Sequence, residues 1–131
     1  MSDDALQVEL VAADRLVWSG EAKMVIARTT EGDVGILPHH APMLSLMVDG
    51  IVDIQTTDGE TWIAAVDAGF LSVAHNRISV LAEHAEMSHE IDLEKARHDL
   101  ESAKEHGEMD DDAQAAVRRH EARVRAAEHA S

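Results

Sequence analysis

Nine histidines, at positions 39, 40, 75, 84, 89, 98, 106, 120 and 129, are the first residues to test for chemistry. Imidazole is the side chain that most readily serves as base, acid or metal ligand near neutral pH. No two of them stand in the HExxH spacing that sets two imidazoles on one helical face, and there is no cysteine to complete a Cys/His zinc set. Nucleophilic catalysis finds no support either, because no serine occupies a GxSxG elbow and no thiol exists to be activated. Gly32, Gly35, Gly50 and Gly69 do not fall into a phosphate-binding loop or a dinucleotide fingerprint. No catalytic residue and no metal site is therefore assigned.

Charge narrows the partners. Twenty-six acidic against eleven basic residues give a formal charge of −15 over 131 residues, which repels phosphate backbones and argues against nucleic acid. The absence of cysteine fits a reducing compartment. The opening MSDDALQVELV carries neither a basic leader nor an apolar stretch approaching the roughly 20 residues of a spanning helix, so direct membrane insertion is not expected. Hydrophobic residues make up 45% of the chain, yet only Trp18, Trp62 and Phe70 are aromatic, so the core must be aliphatic.

The elements that position these side chains change character near Ser88. Upstream, short apolar runs separated by turn residues predict strands at Leu6–Val11, Met24–Ala27, Ile51–Thr56, Thr61–Val66, Phe70–Ala74 and Ile78–Ala82. Asp58-Gly59 predicts a hairpin turn between two of them. Met24–Ala27 does not alternate, which marks it either as a doubly covered strand or as a face offered to another protein. Downstream, Leu93, Ala96, Leu100 and Ala103 form one helical stripe with Asp92 at its N-cap, and Ala113, Ala116, His120, Val124 and Ala127 form a second. Gly107 is placed to end the first helix and Asp110 to Asp112 to start the next. The expected fold is β + α: an antiparallel β-sandwich over residues 1–87, then an antiparallel two-helix hairpin over 88–131. A seam rich in alanine buries little area, so the hairpin should detach readily.

The segment Gly32-Asp33-Val34-Gly35-Ile36-Leu37-Pro38-His39-His40-Ala41-Pro42-Met43-Leu44 resembles the signature of F-type ATP synthase epsilon subunits. The likeness extends to Val17–Gly20, Ala68–Val73, Ile78–Glu86 and Ile91-Asp92, with Ala68 and His39 departing where glycine is common. The resemblance implies a non-catalytic rotor subunit at the cytoplasmic face of the cell membrane, with nucleotide chemistry in other subunits. Its partners would be the gamma subunit of the central stalk, the rotor ring of c subunits, and the catalytic beta and alpha subunits when the hairpin extends. Asp33 and His40 would lie on the surface meeting the ring; read without the family, either is a turn cap or a satisfied loop histidine. Gly32, Gly35, Pro38 and Pro42 shape that loop, by allowing unusual backbone angles or by fixing them.

No cofactor is required, but some epsilon subunits hold a regulatory ATP, and Glu86, Asp92, Lys95, Arg119 and Arg123 resemble that site in part. Lys95 and Ser102 stand where arginines are expected, and an ammonium lacks the two-pronged grip of a guanidinium, so ATP binding should be weak or absent. Solvated helix charges are the plainer reading of these residues. Arg118, Arg119, Arg123 and Arg125 are candidates for an acidic surface on a catalytic subunit. An alternative from another class is a free-standing acidic module that binds metal or a small ligand as one rigid domain.

Overall fold

In the computed structural model, residues 5–106 and 111–130 are described. Eight strands precede two helices: β1 (Leu6–Ala12), β2 (Arg15–Thr29), β3 (Gly32–Ile36), β4 (Met43–Thr56), β5 (Thr61–Val66), β6 (Gly69–Ala74), β7 (Arg77–Ala82), β8 (Ala85–Met87), α1 (Leu93–His106) and α2 (Asp111–Ala130). A 3₁₀ turn at Ser88–Glu90 joins the two parts.

The sandwich is closed by two long strands that each serve both layers. The first half of β2 pairs with β1, and its second half pairs with β3 and β4. β4 pairs with β6 through Met43–Met47 and with β5 through Gly50–Gln55. Layer one therefore runs β2, β1, β7, β6, β4, and layer two runs β3, β2, β4, β5, β8. Every pairing is antiparallel except β1 with β7, which is parallel.

Where strands cross between layers the simple alternation of the sequence breaks, at register shifts around Ala22/Met24 and Ala27/Thr29. That is why β2 begins at Arg15 and not at Met24, why β4 begins at Met43 and not at Ile51, and why β3 emerges inside the segment read as a loop. The Asp58-Gly59 hairpin is present, built as a turn in which the Gly59 N–H donates to the Thr56 carbonyl (3.2 Å) and Gly59 takes φ +91°.

Between the layers, Leu6, Leu10, Val25, Ile36, Val52, Ile54, Leu71, Val73, Ile78 and Val80 are buried. Each such aliphatic side chain contributes roughly 1.5–3 kcal/mol by leaving water. Gly69 is required by the packing of β6 on β7, since a Cβ there would lie 1.9 Å from the Leu81 carbonyl oxygen.

A second, smaller core lies outside layer two. Ile63 and Ala65 of β5 pack with Ile91, Ala96, Ala122, Val124, Ala126 and Ala127, flanked by Ile51, Leu93 and Leu100. The Asp92 carboxylate accepts from the Lys95 N–H at 3.2 Å and caps α1 as expected. One stripe per helix was expected, but α2 carries two. Val124 faces Leu100 of α1 across a shared groove. Arg118 and His129 reach Asp49 and Asp53 of β4, and Ala122 and Ala126 fall between them at helical spacing. α2 is thus the middle layer between α1 and the sheet. Gly107 and Asp110, expected to end and restart the helices, lie outside the described residues.

Candidate functional site

The Gly32–Leu44 segment divides into a strand and a shaped loop. At its start, Gly32 at φ +111° follows the Thr30–Glu31 turn, where the Thr29 hydroxyl donates to the Gly32 carbonyl at 2.9 Å. Asp33 accepts from Arg28 Nε at 3.1 Å on the exposed side of the β2–β3 pair. Gly35 lets the β2 side chain Met24 pass within 3.3 Å of where a Cβ would stand.

Beyond Ile36 the chain turns through Leu37 and Pro38, with the His40 N–H donating to the Leu37 carbonyl at 3.1 Å. His39, at φ +69°, donates its N–H to Asn76 Oδ1 at 2.6 Å, which ties this loop to the β6–β7 turn. His40 Nδ1 lies 2.7 Å from its neighbour's carbonyl at Ala41, and Pro42 leads into β4. Asp33 and His40 thus sit on one segment but are held by different neighbours.

An extended exposed apolar feature was not picked out from the sequence. Leu46 pairs with Phe70, Phe70 with Leu81, Leu81 with Val11 and Val11 with Leu16, so these five residues form one row across layer one on its outer face. Leu16, Leu46, Phe70 and Leu81 are each about half exposed, and the adjacent Leu44 is 72% exposed. A sheet face open to water ordinarily alternates to polar residues, and an uncovered apolar row marks a binding surface. The signal was there: Met43-Leu44, Leu46-Met47, Phe70-Leu71 and Val80-Leu81-Ala82 fail to alternate, just as Met24–Ala27 does. Within that latter run Val25 and Ala27 are buried, whereas Met24 and Ile26 are half-buried on the outer side of layer two.

The helix residues singled out above gather along the hairpin's contact with the sandwich. Arg123, with 17% of its side chain exposed, binds Glu86 of β8 through Nε (2.8 Å) and Nη2 (3.4 Å). Its Nη1 reaches Asp99 of α1 and His120 Nδ1, each at 3.5 Å. One guanidinium therefore joins β8, α1 and α2. Burial, then Arg119 and Arg123, push the His120 imidazole below its usual value, against a weaker upward pull from Asp99 and Glu86.

Arg118 pairs with Asp49 at 3.5 Å, and Arg97 with Glu128 at 3.6 Å. Arg119 lines an open cavity of about 580 Å³ with Arg28, Asp67, His84 and Arg118, and a second of about 20 Å³ with Glu86 and Arg123. The second is too small for more than about one water. Asp92 is engaged as a helix cap, Lys95 is exposed, and Arg125 edges the α1–α2 groove.

Asp67, Glu83 and His84 bring ligand atoms within 4.8 Å of one another. His84 Nδ1 already contacts Asp67 at 2.6 Å, and Glu83 and His84 are exposed, which is an ordinary surface contact between a histidine and a carboxylate. No helix among the described residues is long and apolar enough to cross a membrane.

A family model, the beta-sandwich domain of the ATP synthase delta/epsilon chain, matches residues 5–88. The ATP synthase epsilon chain of Streptomyces avermitilis is 54% identical over 113 residues, covering 86% of this chain and 91% of its own length. That of Corynebacterium efficiens is 48% identical over 98 residues, covering 74% and 79%. In fold, the chain resembles one in a cryo-EM structure of the Euglena gracilis mitochondrial ATP synthase, with a TM-score of 0.81, 22% identity and coverage of 96% of this chain and 82% of that one. These likenesses lend no support to a free-standing acidic module. With its sandwich matched throughout and relatives about half identical, this chain belongs to the ATP synthase epsilon chain family, non-catalytic subunits of a rotary enzyme whose catalytic sites lie in other subunits.

Proposed function

We propose that this chain is a central-stalk subunit that docks through the apolar outer face of layer one onto the gamma subunit, at the cytoplasmic face of the membrane. The observation that carries this reading is the uncovered row Leu16–Val11–Leu81–Phe70–Leu46, which loses water only if another protein covers it. The exposed Asp33–Arg28 pair and His39 and His40 of the Leu37–Pro42 loop supply the polar contacts to the rotor ring, with Leu37 as an exposed apolar one.

On this reading the hairpin restrains hydrolysis by leaving the sandwich and presenting its arginines to a catalytic subunit. Arg118 and Arg123 are held in the closed state by carboxylates of the sandwich, so an acidic partner would compete for groups already matched to acids. Regulatory ATP plays little part while the hairpin is closed: Glu86 and Arg123 bind each other, and the cavity of about 20 Å³ that they share with Arg119 does not admit a nucleotide.

Replacing Phe70 by Glu tests the docking. Binding to purified gamma subunit should fall by more than tenfold, as expected for loss of a central aromatic anchor. Unchanged affinity would remove the face from the interface. Truncation after Met87 tests the restraint in reconstituted enzyme, where hydrolysis should rise while assembly persists; unchanged hydrolysis would end that part of the proposal.

A further inference from the structure

His120 sits one helical turn before Arg123 on α2, and its Nδ1 lies 3.5 Å from Arg123 Nη1. A neutral imidazole offers a lone pair there and accepts from the guanidinium. A protonated one has no lone pair and adds a cation beside Arg119 and Arg123. The groups facing it from the packed elements are Glu86 of β8 and Asp99 of α1, both already committed to Arg123.

We propose that His120 makes the closed hairpin proton-sensitive: neutral, it completes the contact that ties α2 to β8 and α1, and charged, it drives α2 away from the sandwich. The proposal rests on the reading of the hairpin as a movable element. The direction follows from linkage. In the closed state burial and the two arginines hold the ring below its usual value of 6.5, whereas an open hairpin leaves it hydrated. The open state then binds the proton better, so His120 contributes to closure above the ordinary imidazole range and that contribution is lost as pH falls below it.

The chain has no native cysteine, so spin labels at Lys23→Cys on the sandwich and Gln114→Cys on α2, both exposed positions, report the distance between the parts in the full chain. Between about pH 8 and about pH 5.5, the range in which an imidazole titrates, the longer-distance population should rise several-fold. His120→Gln should abolish that rise. His120→Arg should open the hairpin at both pH values. An undiminished rise in His120→Gln, or no rise in the parent chain, overturns the proposal. Arg123→Ala separates the causes: if it opens the hairpin while the parent ignores pH, only proton sensing fails, and if no variant opens at any pH, the movable hairpin fails with it.

Discussion

The two outer faces of the sandwich differ in who covers them. Over layer two the chain lays its own α2, held by alanines and by charged contacts at Glu86, Asp49 and Asp53. Over layer one none of the described residues lies, and Leu44, Leu46, Phe70 and Leu81 face outward. A cover made of small side chains and ion pairs is one that can be exchanged, because alanine buries little area and ion pairs have alternative partners in water and in other proteins. An apolar row with no cover has only one stable resolution, a lasting interface. On the proposed reading, the difference teaches that a permanent contact and a releasable one can be built on opposite sides of one sheet pair by changing residue size and charge alone.

The comparison assumes that the sandwich between these faces is rigid, and the largest effects should come from breaking it. Leu71→Ala empties a fully buried site and should cost about 3 kcal/mol, on the order of 10 °C in Tm. Gly69→Ala should be at least as damaging, because the clash is with backbone and not with a side chain that can turn away. Thermal melts of the full chain check both; a loss under about 1 kcal/mol in each would mean that the layers adjust freely.

Arg123→Ala should act on the releasable cover alone. It removes a mostly buried guanidinium and leaves Glu86 without its partner, costing the closed hairpin about 1–2 kcal/mol while the sandwich melt stays in place. Hydrogen exchange measured element by element checks this, and equal loss of protection in β1 and α2 would show that the two parts are one cooperative unit.

Phe70→Ser should change stability by less than about 0.5 kcal/mol, since half of the ring is already in water. A large loss of stability would recast this residue as core. The smallest effect concerns acid. The Thr56 hydroxyl donates to Asp58 and holds its carboxyl below the usual 3.8. A carboxylate with a depressed value adds stability above 3.8 and loses it as pH falls through the lowered value. Asp58→Asn should flatten the acid end of the melting curve by lowering stability slightly at neutral pH, where the ionised carboxylate contributes, and leave the most acid end unchanged.

Much of this division was legible in the sequence, for physical reasons that differ by region. The helices announced themselves because Leu93, Ala96 and Leu100 recur at helical spacing behind an Asp92 cap. β5 and the Asp58-Gly59 hairpin were legible because strand period and turn chemistry agree there. β2 and β4 were underread because each crosses between layers, and a bulge moves every later side chain to the other face, which erases the period of two. The second stripe on α2 was missed for another reason. Ala122 and Ala126 look like helix formers rather than core, and only the tertiary position of β5 makes them buried. Arg123 was singled out as a nucleotide or partner contact, while its closed-state partners Glu86 and Asp99 lie far from it in sequence, beyond what spacing can reveal.

Hydroxyl-radical footprinting of side chains, on the free chain and on the chain in assembled ATP synthase, tests the contrast between the two faces most directly. Leu46, Phe70 and Leu81 should lose reactivity several-fold on assembly, as an apolar row must when a partner covers it. Unchanged reactivity of Phe70 and Leu46 in the assembled enzyme would show that layer one remains open to water there, and would contradict the assignment of that face as the permanent contact.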